Sequence, residues 1–149
     1  MRTFLPYLPV LLLGAGLLAL AIAVPRRRRR RERAALAAQW DWMLRQQEAR
    51  WAAGARLLQA VNVYQRARRG SKAQVHWCGS GLVQDAWFEG WHVPPGAFVL
   101  VTGEVGWGPH NQIKDVLYVR PHQVHGWVPA SAPAAWQKER LAASGRAEA

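Results

Sequence analysis

The chain has 149 residues, with 20 Lys or Arg against 9 Asp or Glu and a formal net charge of +11. That length holds one modest domain with appendages, and a single cysteine, Cys78, excludes an intramolecular disulfide framework. The charge alone points to an anionic partner, yet residues 26–71 carry +10 and residues 72–131 carry −1, so the later part of the chain lacks the basic face of a nucleic-acid-binding fold.

Residues 4–24 contain no charged side chain over 21 positions. A helix rises about 1.5 Å per residue, so this stretch is long enough for a hydrocarbon core of about 30 Å. The pattern predicts a transmembrane anchor over residues 1–25. The rival reading is a cleavable signal peptide, because Ala21-Ile22-Ala23 has the small-x-small form of a cleavage site. The next residues weigh against cleavage. Arg26, Arg27, Arg28, Arg29, Arg30, Arg31 and Arg33 follow almost at once, with Arg2 alone upstream. The positive-inside bias then predicts an uncleaved single-pass helix in the inner membrane, N-terminus out and C-terminal domain cytoplasmic. The same seven arginines are expected to attract anionic membrane lipids, with Trp40 and Trp42 in the headgroup zone.

Residues 26–70 form the second predicted segment. Residues 31–69 are rich in Ala, Leu, Gln, Glu and Arg, with no proline and one glycine, Gly54. Leu36, Trp40, Leu44, Trp51, Ala55 and Leu58 recur at helical spacing, which predicts an amphipathic juxtamembrane helix. Three uses compete for its apolar face: a stalk pairing with another helix, as in a homo-oligomer; a helix lying on an anionic leaflet; or a helix folded back on the C-terminal domain. Nucleic-acid binding through residues 26–69 is the alternative partner class, not the preferred one. The helix is expected to end at Arg68-Arg69-Gly70-Ser71, where basic residues and a glycine suit a C-terminus.

Residues 72–131 change texture, with short apolar runs between glycine- and proline-rich turns. Strands are predicted at 73–78, 83–88, 97–105, 115–120 and 124–129. Five short strands predict a small antiparallel barrel or sandwich, and with the helices an α+β fold. Residues 132–149 read as a short helix-prone tail that Trp136 is placed to dock.

The stretch Gly126-Trp127-Val128-Pro129-Ala130-Ser131 resembles the closing motif of SH3-like barrels. Val99 to Gly103, a turn-rich loop and Val116 to Val119 resemble the central hairpin of that fold. The resemblance covers about sixty residues. It departs from peptide-binding SH3 domains in lacking their opening motif, their acidic loop and their paired tryptophan. A bacterial SH3-like module is the closer comparison, and an OB-like barrel is the alternative fold. If the chain is exported, the resemblance implies a module that binds cell-wall material.

Catalytic signatures are sparse. His76 and Cys78 lie two apart, on one face of a predicted strand, with no third orienting group in the sequence. His110, His122 and His125 match no zinc spacing. No paired carboxylates, phosphate-binding glycine loop or dinucleotide fingerprint are found. No catalytic residue, metal or cofactor is therefore expected, and the chain is read as a non-enzymatic tether or scaffold. Its binding residues are sought among the aromatics: Trp91 and Trp107 in predicted loops, with Tyr118 and Trp127 beside them, as anchors for a protein or peptide partner.

Overall fold

The computed structural model describes residues 8–105 and 115–147, with side chains described for 26–103 and 115–146. Helix α1 (Leu8–Ala49) runs for 42 residues and continues straight through the arginine run. Its exposed face carries pairs one turn apart, Arg28 with Glu32 at 2.8 Å and Arg45 with Asp41, which support a helix modestly. The helix ends before Gly54, whose φ of +80° is a conformation glycine adopts without strain. The Ala55 N–H then reaches back to the Arg50 carbonyl at 3.2 Å, closing the turn in the manner of a glycine-terminated helix.

The next residues form a strand, not more helix. β1 (Arg56–Ala67) is followed by β2 (Gly70–Trp77), β3 (Val83–Glu89), β4 (Phe98–Val101), β5 (Glu104–Val105), β6 (Leu117–Val119) and β7 (Val124–Val128), and α2 (Ala132–Ala147) closes the chain. The strands form one sheet in the order β5-β6-β3-β2-β1-β4-β7. All pairings are antiparallel except β3 with β6, where Ala86, Trp87 and Phe88 run alongside Leu117, Tyr118 and Val119. Six strands have three or more residues and β5 has two. β5 and β7 end the order without pairing to each other, so the sheet curls as an open half-barrel.

β1 explains much of the curl. Its first residues, Arg56 to Gln59, pair with β4, and Leu58 and Gln59 also pair with β2 on the other side. Its later residues pair with β2 alone, with register shifts between Ala60 and Asn62 and between Val63 and Gln65. Such bulges bend a strand and sharpen its twist, and they leave Val61 and Tyr64 half-exposed.

Two apolar layers result. Inside the curl, Leu58, Val75, Phe88, Val99, Val101, Leu117 and Val119 pack together. On the outer face, Leu57, Leu100 and Val128 meet Trp40 and Met43 of α1 and Ala132 of α2. Alternation along a strand makes this division: in β4, Val99 and Val101 face inward while Leu100 faces the helices. Trp40 sits edge-on to Phe98, centroids 4.9 Å apart. Ser71 is the one buried polar residue among the described residues. It donates from Oγ to the Trp91 carbonyl at 3.1 Å and accepts from the Val93 N–H at 3.1 Å.

The predicted fold class is corrected in three respects. Among the described residues no helix is long and apolar enough to cross a membrane, which stands against the expected transmembrane helix, the single-pass topology and the inner-membrane location. α1 is one helix in which residues 8–25 and the arginine segment are continuous, not an apolar anchor followed by a separate basic helix. Residues 1–7 of that expected anchor lie outside the described residues, as do the side chains of 8–25. Secondly, the predicted helix over 31–69 stops at Ala49, and β1 takes its last third. Thirdly, the five-stranded antiparallel barrel, SH3-like or OB-like, is replaced by a mixed open sheet. The expected central hairpin is reduced to two residue pairs, Glu104 with Tyr118 and Val105 with Leu117, while Val99 to Val101 pair with β1 and β7 and β6 also pairs with β3.

Candidate functional site

α1 lies across the outer face of the sheet beside β7. Ala37, Trp40 and Met43 are buried there. The adjoining helix face carries Ala35, Ala38, Gln39 and Trp42, three or four residues apart, and it stays open. Across from it stand Trp127, Val128 and Pro129, and the groove between encloses about 720 Å³. Two tryptophans wall this groove and are 40 % and 46 % exposed, Trp42 and Trp127 respectively.

Both rings are held from behind. A Cβ on residue 126 would lie 2.7 Å from the Trp42 ring, so Gly126 is what lets that ring lie against β7. Trp127 leans on Trp91, ring centroids 6.2 Å apart, and Trp91 in turn stands edge-on to the buried Phe88 at 5.7 Å. The Ser71 hydroxyl fixes the backbone on both sides of His92, whose ring reaches the Ala67 carbonyl at 2.9 Å. The result is an aromatic column running from the core to the surface.

No family model matches the chain, and neither curated proteins nor solved structures show a significant similarity to it. The site must therefore be read from its own chemistry.

Of the aromatics singled out from sequence, the structure brings Trp91 and Trp127 together, with Trp91 as the half-buried support and Trp127 as the exposed face. Tyr118 lies on β6, near the other end of the strand order from β7. Trp107 lies outside the described residues. Trp42, expected at a headgroup zone, is the second wall of the groove, while Trp40 is taken into the packing between α1 and the sheet. The pairing of Trp42 with Trp127 has no local sequence signal, since 85 positions separate them.

A second groove of about 470 Å³ lies at the far end of α1, between Trp51 and Trp77. The Arg56 guanidinium stacks 3.8 Å from the Trp51 ring, and the Trp77 indole donates to Gln84 at 2.9 Å. The sequence reading missed this groove because it placed Trp51 and Arg56 in mid-helix. Cys78, between the lining residues Trp77 and Gly79 but not itself part of the lining, is exposed, and desolvation around its sulfur pushes the thiol pKa up, which disfavours the nucleophilic thiolate. Among the described residues no three metal-ligating side chains cluster. His125 meets Thr102 at 3.2 Å, and its pKa is lowered by desolvation and then by the Arg50 charge. His110 lies outside the described residues.

The arginine run meets these features on α1. Arg28 and Arg31 continue the helix face of Ala35, Ala38 and Trp42 toward the N-terminus, at steps of three and four. They line a shallow basic hollow with Arg27 and Glu32. The apolar groove therefore opens at one end onto positive charge.

Proposed function

We propose that this chain is a non-enzymatic interaction protein that captures an acidic protein segment carrying a bulky apolar side chain. The carrying observation is that two half-exposed tryptophans, Trp42 of α1 and Trp127 of β7, line one groove. Tryptophan combines large apolar area with little conformational entropy, so exposed, rigidly backed rings are favoured anchors at interfaces. The apolar residue would enter this groove, against Trp42 and the residues of β7 that line it. Its acidic neighbours would meet Arg28 and Arg31, which lie along the same helix face. Rim charges of this kind contribute more to association rate and partner choice than to affinity.

A peptide-display selection on the full chain tests this reading. The recovered sequences should combine Asp or Glu with an aromatic or branched aliphatic residue. A W42A/W127A variant should lose that enrichment while its melting temperature falls by only a few degrees, about 1 kcal/mol of exposed ring contacts. Equal enrichment on wild type and variant, or recovery of basic peptides, would refute it.

A further inference from the structure

A different part of α1 faces α2. Between them lies a cleft of about 520 Å³, walled by Arg30, Arg31 and Arg33 on one helix and by Glu139 and Arg146 on the other. Ala34 and Ala142, both small, lie between these charges and let the helices approach. Successive residues turn about 100° around a helix, so six consecutive arginines point in every direction and only some of them reach this space. Arg26 and Arg29 line neither this cleft nor the basic hollow beside Ala35.

The charge in the cleft is not balanced. Arg33 Nε donates to Glu139 at 2.6 Å, which neutralises that carboxylate and fixes the Arg33 side chain. Arg146 is held in place by its Nε donating to the Ala142 carbonyl at 3.0 Å. Arg30 and Arg31 form no ion pair among the described residues. Four arginines thus line one volume with one carboxylate, leaving three positive charges without an ion pair among the described residues. Like charges brought together in a concave site repel, and an anion that enters turns each repulsion into an attraction. The guanidinium forks offer parallel donors that match phosphate oxygens, and several forks around one volume call for several linked oxyanion groups. A cleft of this size has the volume of a small-ligand site, and its concavity does not match a flat bilayer surface.

We propose that the cleft between α1 and α2 binds a small oligophosphate anion, a ligand with two or more linked phosphates. The cleft shares Arg31 with the basic hollow beside the tryptophan groove, but Arg30, Arg33 and Arg146 line the cleft alone, and the proposal does not depend on the function proposed for the groove.

Calorimetric titration of the full chain with inorganic tripolyphosphate at fixed ionic strength tests this. Single-site saturation is expected, with sulfate binding far more weakly. R30A/R146A should weaken tripolyphosphate at least about tenfold, the loss of two charge-assisted contacts. R26A/R29A removes the same charge outside the cleft and should weaken it by less than about threefold, as a screened surface effect does. Circular dichroism checks that both variants remain folded. Equal weakening by the two double variants would overturn the proposal, as would sulfate binding as tightly, or no saturable binding. Binding of a short thymidine oligonucleotide or of anionic vesicles without binding of tripolyphosphate would also overturn it, because the arginines would then act as a diffuse basic surface.

Discussion

Replacing Ser71 by alanine should cost far more than the loss of one oxygen atom suggests. The hydroxyl is fully buried and makes two hydrogen bonds, donating to the Trp91 carbonyl and accepting from the Val93 N–H, each at 3.1 Å. Val93 is itself fully buried, so its N–H has no route to water once Oγ is removed. An unsatisfied buried donor costs about 1–3 kcal/mol. Trp91 is only half-buried, and its carbonyl can turn to solvent, so the second bond adds little. The expected loss is about 2 kcal/mol. Urea unfolding followed by tryptophan fluorescence reads this directly: with a slope of roughly 1–3 kcal/mol per molar urea, the midpoint should fall by about 1 M. The same substitution frees the segment that carries Trp91, the ring behind Trp127, so affinity for a selected peptide should fall too. A stability change below about 0.5 kcal/mol, the scale of an ordinary surface substitution, would refute the reasoning. It would mean that the Val93 N–H finds another acceptor and that Ser71 does not organise this segment.

Two further outcomes follow from the same geometry. Gly126→Ala should displace the Trp42 ring, because the new Cβ would lie 2.7 Å from it. Since the ring is 40 % exposed and can move outward, the stability cost should stay near 1 kcal/mol, the low end for overpacking. Peptide binding should drop by a larger factor and the emission of Trp42 should shift to the red; unchanged binding would show that the groove does not need this ring position. For His125, whose folded-state pKa is lowered by desolvation and then by Arg50, the unfolded chain takes up the proton first as pH falls. Stability from this group is therefore complete above its ordinary pKa and is lost as pH drops below that value. Wild type should lose more stability than H125Q between about pH 8 and about pH 5, measured by urea midpoints; equal losses would show that the ring is not desolvated in the fold.

The strands flanked by turn signals were legible. Val83–Glu89 and Val124–Val128 fall within a residue of the stretches expected from their apolar runs between glycines. β1 was not, because Trp51, Ala55 and Leu58 happen to fall at helical spacing and Leu57, Gln59 and Ala60 are good helix formers. Tertiary pairing overrode that local preference: residues 56–59 pair with β4, and from Leu58 the strand pairs with β2 as well. The informative local features were Gly54, the one glycine in the segment, and the β-branched Val61 and Val63 after it. The groove was only half legible. Trp127 and Trp91 were recognisable as aromatics near glycine and proline, whereas Trp42 joins the groove only because α1 crosses β7. The uncharged stretch at the start of the chain misled through its composition, which says nothing of the single helix that carries it into the arginine run.

The two layers explain why one helix can serve two unlike surfaces. β4 has both faces buried, Val99 and Val101 toward the curl and Leu100 toward the helices. Leu100 therefore joins the layer that fixes α1 through Trp40 and Met43. Once that face of α1 is committed to the sheet, the neighbouring faces have set directions. Ala35, Ala38 and Trp42 turn toward β7, and Arg30, Arg33 and Ala34 turn toward α2. Small residues on each of these faces leave space rather than fill it, and the bulky or charged residues beside them decide what the space accepts. Between β7 and α1 the lining is mostly apolar and includes Trp42 and Trp127, which suits an apolar side chain. Between α1 and α2 they are guanidinium groups, which suit an anion. Side chains that share no partner usually contribute independently, so Arg30 and Arg146, which line the cleft but not the basic hollow beside the groove, can be neutralised without altering the groove, and the two binding properties can be separated experimentally.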